Sequence, residues 1–587
     1  MKIITFDFSI KISILLYQMN FNKFLKYVPA IAISLILLSA GFILYYILRY
    51  GVDVPYMDQW EYIGFFDHLK KGMLTFEELF RQHNEYRQFF PNLIYVSLGW
   101  FTDWNVRYEM IVIFILACLV SFNIYRLANF TAIGESWQKW LMLLLANLFI
   151  FSPMQYENWL FGVQIEYFLP IACVSSCMVI AFTRINAYWK MIFCMTLATI
   201  STFSSINGLL CWFVLFPVFY FSGTKNEFFR KWPSISAWTI GTILAIALYF
   251  NGYHKPEAHP SLILALVHPL DALKYFLATL GNTLRIIHTV QVIIVVGGLM
   301  ILLYFTIVFY IVRHIKDKEL IRLSIVWIML GLYSILTAAM LMIGRLGFGI
   351  FQSLASRYTT FTLFLAVALI FLSAIIIHHY QQKRPISVLQ KSCIALVIAF
   401  LIFTKVNTYP VAARELKGFH ATIQHAKAGL MFINFIPHSE CVNKIYPSNF
   451  DELKRKVNIL NKLGYLRPPL ETTNVLQDIE AKESGKIDYG SFDRLTKIND
   501  SVYTASGHAT IPNTNNPADA VLLSFDNDKG KSYLFTLVNA DSVHWEKVFT
   551  TVSMHINPII IKAWAFDANT GKAYSLRGSY IINKPKP

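Results

Sequence analysis

Charge is what this sequence has least of. Of its 587 residues only 15% are Asp, Glu, Lys or Arg, 56% are hydrophobic, and mean hydropathy is +0.48. Soluble globular chains carry about 25% charge, so a purely soluble protein is excluded and a membrane domain joined to a soluble one is implied. Cysteine is scarce as well. Six of the seven (Cys118, Cys173, Cys177, Cys194, Cys211, Cys393) lie in apolar runs, and Cys441 alone lies in the polar tail. That excludes a disulfide framework and a Cys-based zinc site; Cys173 and Cys177, four apart, read as small packing residues. There is no HExxH motif, so the common helical zinc-hydrolase arrangement is absent too. Lys and Arg outnumber Asp and Glu by 51 to 35, giving a net charge of +16. The basic residues are dispersed between apolar runs and form no stripe, which argues against a nucleic-acid partner and for membrane topology.

Long apolar runs are plentiful. Val28–Leu48 is uncharged and long enough for a ~30 Å hydrocarbon core. Lys2, Lys11, Lys23 and Lys26 precede it and no small-residue cleavage site follows, so it reads as an uncleaved first span. Further spans are expected at 105–125, 140–152, 169–183, 191–205, 207–221, 234–250, 290–312, 323–343, 358–378 and 392–407, with a re-entrant hairpin as an alternative around Ser204–Asn207. A cytoplasmic N-terminus then puts Arg126, Lys139, Arg184, Lys190, Lys225, Arg230, Lys231, Arg313, Lys316, Lys318, Arg322, Lys383, Arg384 and Lys391 in inside loops, and leaves 152–170 outside without Lys or Arg. This satisfies the positive-inside rule. Eleven spans place the C-terminus outside, in the periplasm of a Gram-negative cell. The expected organisation is a cytoplasmic segment 1–27, a transmembrane domain 28–407 with a large outside loop 50–104, a helical connector 408–498 and an all-β sandwich 499–587. The sandwich rests on runs such as Val502–Ile511, Ala520–Phe525, Ser532–Val538, Phe549–His555, Ile559–Phe566 and Ala573–Ile582, separated by Asn/Asp/Gly clusters such as Asn513–Asn516.

Polar residues gather at the outer rim. In the loop 50–104, Tyr62, Phe65, Phe66 and Leu69 recur at helical spacing, as do Leu74, Leu79 and Phe80, which suggests amphipathic helices on the membrane surface. Asp53 and Asp58 follow the first span, and Glu61 shares a helix face with Asp58. The run Asp58-Gln59-Trp60-Glu61 sets carboxylates beside an aromatic ring, the pair a sugar site needs: a base for a hydroxyl and a flat face for the ring. The plainer alternative is a helix cap. His83-Asn84-Glu85-Tyr86-Arg87 is the densest polar cluster; read as helix it puts His83 and Arg87 on one face, with Arg87 available to a phosphate and to Glu85, and otherwise it is a solvated turn. Gln155, Glu157, Asn158, Trp159, Gln164 and Glu166 can line a groove or anchor the interface. In Gly344-Arg345-Leu346-Gly347-Phe348-Gly349 … Ser356-Arg357-Tyr358, glycines permit close backbone approach and two arginines flank them; the alternative is a loop whose arginines snorkel to headgroups. In the tail, Trp545, Trp564 and Tyr574 are either sugar-stacking rings or core.

From Asp58 through His83 and Pro91, then Leu93–Trp100, Asn105 and Arg107 into the helix Ile111–Tyr125, the order of features resembles the GT-C superfamily of membrane glycosyltransferases, in the branch of protein mannosyltransferases and lipid A aminoarabinose transferases. The resemblance covers residues 28–407 and is architectural. A lone Asp58 with Glu61 stands where the mannosyltransferases have an Asp-Glu pair, and residues 28–407 contain neither Trp-Trp-Asp nor Asp-x-Asp. No cofactor is therefore expected, and no divalent metal is indicated. The resemblance implies a polytopic helical fold in a bacterial inner membrane. It also implies transfer of a sugar from a polyprenyl-phosphate-linked donor, because nucleotide sugars are not available outside, to a glycan or lipid-linked acceptor. Asp58, with Asp53 and Glu61, would supply the base. His83, Glu85, Arg87, Arg107, Glu157, Arg345, Arg357 and Tyr358, with Lys274 and Arg285 as further cations, would bind the substrates. A polysaccharide polymerase or ligase would use the same donor through Arg345, Arg357 and His83. A transporter or flippase would instead set charges at mid-span, where few occur.

Overall fold

The computed structural model describes residues 25–222, 232–257, 259–285, 289–385, 387–436, 440–481, 488–511, 516–538, 542–552, 554 and 556–583, without the side chains of 440 and 441. Lys2, Lys11, Lys23, Lys225, Arg230, Lys231, Asn513–Asn515, His555 and the Cys441 side chain, all used above, lie outside the described residues. The chain forms two compact units, 1–49 with 76–94 and 109–414, and 50–75 with 95–108 and 415–587. The loop 50–104 is thus shared between them.

In the first unit each expected span falls on a helix. We label α1 Val28–Tyr50, α2 Ile63–Lys70, α3 Phe76–Phe80, α4 Phe89–Thr102, α5 Arg107–Phe130, α6 Ser136–Ile150, α7 Ile165–Phe182, α8 Ala187–Thr202, α9 Leu210–Phe221, α10 Trp232–Phe250, α11 Pro269–Gly281, α12 Val290–Arg313, α13 Lys318–Arg345, α14 Thr359–Gln381, α15 Val388–Met431 and α16 Phe450–Leu463. Among the described residues eight helices are long and apolar enough to cross a membrane. Helices α6, α8 and α9, with 15, 16 and 12 residues, are shorter, and at 1.5 Å per residue each spans less than the ~30 Å of a bilayer core. Leu37, Leu38 and Phe42 of α1, and Leu299, Leu302 and Phe309 of α12, leave large apolar side chains exposed, as lipid-facing helices do. Helices α13 and α14 pack along each other, with Trp327 stacked on Phe371 at 3.9 Å. Helices α11 and α12 approach through glycine: a Cβ on Gly297 would lie 1.9 Å from the Leu277 carbonyl oxygen, and one on Gly281 2.0 Å from that of Ile293. Small residues permit such close crossings. Helix α11 was not foreseen, because Asp271 and Lys274 interrupt its apolar pattern.

The first unit adds two short strands, β1 Gln82–His83 and β2 Tyr86–Arg87, and the second unit carries seven, β3 Gly490–Lys497, β4 Val502–Ala509, β5 Ala520–Asp526, β6 Ser532–Val538, β7 His544–Thr550, β8 Ile559–Asp567 and β9 Lys572–Ile582, in the order β6-β5-β8-β9-β3-β4-β7. The neighbours are antiparallel except β3 and β9, joined by one parallel bridge, Ser491↔Arg577. The sheet is therefore continuous rather than two separate sheets, and both halves share one core containing Phe492, Trp545, Phe549, Ile561 and Leu576. The end of α15 covers the outer face, Met431 and Phe432 packing on Leu522, Leu534 and Phe566. Strand β3 lies in the stretch read as linker. Its exposed Asp493, Arg494, Thr496 and Lys497 hide its period. Residues 392–407, expected as a span, and the beginning of the expected helical connector 408–498 belong to the single helix α15, with Pro410 inside it.

Candidate functional site

The polar cluster 83–87 is not helical. Gln82–His83 and Tyr86–Arg87 form a two-stranded hairpin, β1 and β2, turned by Asn84 at φ 48°. Asn tolerates that left-handed conformation better than most residues. The hairpin sends Glu85 and Arg87 to different partners. Arg87 donates to the carbonyl oxygens of Tyr249 (2.6 Å), Asn251 and Phe80 (3.3 Å). Its guanidinium is thus occupied by backbone, which contradicts the phosphate role and the Glu85 partnership expected for it. Glu85 instead accepts from Arg345, at the end of α13, and lies 3.3 Å from Nδ1 of His259. His83 sits beside Asn84, its Nε2 3.3 Å from Asn84 Nδ2.

Glu85 and Arg345 line a cavity of about 320 Å³ with Tyr86, Tyr253, Lys255 and His259. The ends of α8, α10 and α13 and the beginnings of α9 and α14 converge there, so helices running in opposite senses present their termini to the same space. Tyr86 and Phe361 in its wall belong to an aromatic cluster with Tyr167 and Tyr358. Arg345 is 18% exposed and Glu85 14%, enough burial to strengthen their attraction and enough access for a ligand. The cavity thus offers three cationic or protonatable groups, a carboxylate, phenol hydroxyls and ring faces.

Arg357 is held differently. Glu157 accepts from Ser356 Oγ (2.6 Å), from the Arg357 backbone N–H (3.2 Å) and from Arg357 Nη1 (3.2 Å). Asn158 donates to the Arg357 carbonyl oxygen (3.1 Å) and to Thr360 Oγ1 (2.6 Å), and Thr360 donates to Gln155 (2.5 Å). Gln155, Asn158, Trp159, Gln164 and Glu166 are all buried. The loop 152–170 is therefore a packed plug against the start of α14 and does not form the open groove entertained for it. Tyr358 is buried, its hydroxyl accepting from Gln352 (3.1 Å).

Asp53, Asp58, Glu61 and Arg107 belong to the second unit. Asp53 accepts from the Val106 backbone N–H (3.1 Å) and thereby fastens the entry to α5. Burial raises its pKa, opposed by that bond and by Lys427, Arg107 and Arg467. Asp58 and Glu61 lie three apart in a 3-10 turn, Met57–Tyr62, where such residues eclipse. Asp58 is exposed, whereas Glu61 pairs with Lys456 (2.6 Å) and accepts from Tyr446 (3.2 Å). Trp60 is buried, so no ring is open beside them. Helix α2 buries Phe65 and Phe66; Phe66 packs on Trp104 at 4.5 Å and on Tyr465 at 5.6 Å, so this apolar face meets protein. Arg107 is exposed at the start of α5.

Trp545, Trp564 and Tyr574 are core side chains, which removes them as sugar-stacking rings. An Asp-x-Asp does occur in the tail, Asp526-Asn527-Asp528, where Asp526 accepts from Ser532 (2.5 Å) and pairs with Lys562 (2.8 Å) at the base of a hairpin turn. Ser491, Asp493 and His508 also meet, but Ser491 Oγ (3.2 Å) and Asp493 (3.1 Å) approach the same ring nitrogen, Nδ1. A relay needs both nitrogens. Among the described residues no group of three or more His, Cys, Asp or Glu can hold a metal ion. Sequence reasoning missed Tyr253, Lys255 and His259; the signal was the polar run NGYHKPEAHP directly after α10. It also missed Lys405, which lies inside the expected span 392–407, is buried, donates to the Thr283 carbonyl oxygen (2.6 Å) and sits 4.1 Å over the Phe149 ring. Compared with known family models, curated proteins and solved structures, the chain matches none.

Proposed function

We propose that this protein is a membrane glycosyltransferase of GT-C type, taking a sugar from a polyprenyl-phosphate-linked donor and passing it to a glycan or lipid-linked acceptor at the outer face of a bacterial inner membrane. The observation that carries this reading is the cavity with Arg345, Lys255 and His259 around Glu85, where the ends of apolar helices meet. A lipid phosphate needs cations at that level, and a bidentate arginine suits it best. In the proposed step the acceptor hydroxyl oxygen attacks the anomeric carbon. The bond from that carbon to the phosphate oxygen breaks, the electron pair leaves with polyprenyl phosphate, and the hydroxyl proton passes to a carboxylate. Arg345 stabilises the departing phosphate. An arriving phosphate competes with Glu85 for Arg345, so donor binding releases Glu85 as a base. The base that the sequence alone proposes is Asp58, exposed at the start of its turn in the second unit, and it is tested separately from the cavity.

The test is mass spectrometry of surface glycan from cells carrying a deletion, Arg345→Ala, Glu85→Gln or Asp58→Asn, at matched membrane expression. Loss of the same single sugar in the deletion and in Arg345→Ala supports the reading, and whichever carboxylate variant shares that loss carries the base. A deletion that shortens the whole chain points to a polymerase or ligase. Unchanged glycan in the deletion overturns the proposal.

A further inference from the structure

An open groove of about 960 Å³ lies on the first unit beside the cavity, and Lys255 and Pro256 line both. Its walls are the hairpin β1–β2 with α3 on one side and residues 252–257 on the other. Those walls are fixed by side chains that act as backbone partners. Gln82 donates to the His254 carbonyl oxygen (2.6 Å) and accepts from the His254 N–H (3.0 Å), as a neighbouring strand would. Arg87 ties the hairpin to Tyr249 and Asn251. The groove is preformed, which lowers the ordering cost of binding.

Its lining is mixed in a particular way. Phe76 is 67% exposed and stacks on Phe80 at 5.6 Å, so a bare ring face borders the groove. Around it stand Glu77 and Glu257, Arg81 and Lys255, with Asn84 and His254, all six exposed. Against these two carboxylates stand Arg81, Lys255 and a third cation, Arg87, which is buried with its guanidinium on backbone carbonyl oxygens, so the groove carries a single net positive charge and offers little field to a polyanion. Planar amide, carboxylate and guanidinium groups beside a ring face match a sugar, whose hydroxyls need donors and acceptors and whose C–H face needs an apolar plate.

We propose that this groove binds the acceptor as a neutral oligosaccharide, lying along Phe76 and reaching the cavity over Lys255 and Pro256. The inference rests on the proposed function and names its acceptor class. The first experiment is saturation-transfer NMR on the full-length protein in nanodiscs, with a neutral oligosaccharide released by mild acid from the host's surface polysaccharide as probe and glycerol 3-phosphate as a headgroup probe. The expected result is oligosaccharide binding by wild type, Phe76→Tyr and Arg345→Ala, and a loss of affinity of about tenfold or more in Phe76→Ala and Arg81→Ala, the size expected when a central contact is removed. Retention in Phe76→Tyr excludes simple misfolding. Equal binding by all variants, no binding by wild type, or a response to glycerol 3-phosphate alone overturns the inference. A second arm separates the two claims in cells. If Arg345→Ala loses the sugar while Phe76→Ala and Arg81→Ala keep it, the groove fails and the glycosyltransferase stands. If deletion itself changes nothing, the glycosyltransferase reading fails.

Discussion

Glu85 meets Arg345 at the end of α13 and Glu157 meets Arg357 just before α14, yet their surroundings differ. Glu157 spends its oxygens on a turn: a hydroxyl, a backbone N–H and the Arg357 guanidinium all converge on it. Glu85 faces a cavity with Arg345, beside a histidine and below a lysine-bearing loop. The first carboxylate gathers three donors from one turn, although its arginine is the more exposed of the two, 32% against 18%; the second holds an arginine beside a histidine at a cavity wall and can exchange partners. Geometry around an ion pair, rather than the pair itself, separates a structural clamp from a candidate binding site. The β domain adds a third case. Asp519 accepts from the Ala568 N–H (2.9 Å) and is pushed up to about 6, first by burial and further by Asp567, with Lys427 opposing.

These contrasts can be broken by mutation. Removing the clamp has the largest expected effect: Glu157→Ala leaves Arg357 and a turn N–H without their acceptor and costs about 3 kcal/mol, read as a lowered thermal midpoint in nanodiscs. Glu85→Ala costs about 1 kcal/mol by the same measurement, because water entering the cavity solvates Arg345. Equal losses would erase the distinction. Next, under the proposed function Arg345→Ala weakens polyprenyl phosphate binding by about thirtyfold, as expected for a lost charge-assisted contact of roughly 2 kcal/mol, measured by titration into nanodiscs. Arg357→Ala changes it less than about threefold.

Asp519→Asn tests the β domain. A carboxyl whose folded pKa exceeds its unfolded value stabilises fully below the unfolded value, near 3.8, and loses that contribution as pH rises through about 6. The substitution keeps an acceptor for Ala568, so it flattens the stability profile between those values and stabilises the protein by about 2 kcal/mol at pH 7. Tryptophan fluorescence melts over that pH range read this out; an unaltered profile rejects it. The smallest effect sharpens the cavity: Glu85→Gln removes a competitor for Arg345 and raises polyprenyl phosphate affinity about threefold in the same titration. A fall instead means that Glu85 contacts the donor.

The apolar helices were legible because uniform hydropathy needs no partner to be read. Helix α11 and strand β3 were not, since Asp271 and Lys274 break one pattern and an exposed polar face hides the other. Glu85, Glu157, Arg345 and Arg357 were each identifiable from their positions in loops expected to face outside, but their pairing was not. Glu85 and Arg345 stand 260 residues apart, and nothing local distinguishes Glu85–Arg345 from Glu85–Arg87. The fold decides between them: the carbonyl oxygens of Tyr249, Asn251 and Phe80 take up Arg87, and Glu85 is left to Arg345.

Lys405 bears on how such a chain is assembled. A lysine inside an apolar helix resists insertion by up to about 3 kcal/mol, and near a helix end it ordinarily escapes to the headgroups. Here it is enclosed and bonded to the Thr283 carbonyl oxygen, over the Phe149 ring. Both contacts come from chain synthesised earlier. In the proposed membrane setting, the last apolar helix is therefore received by a surface already in place, and synthesis order becomes part of the information that folds it.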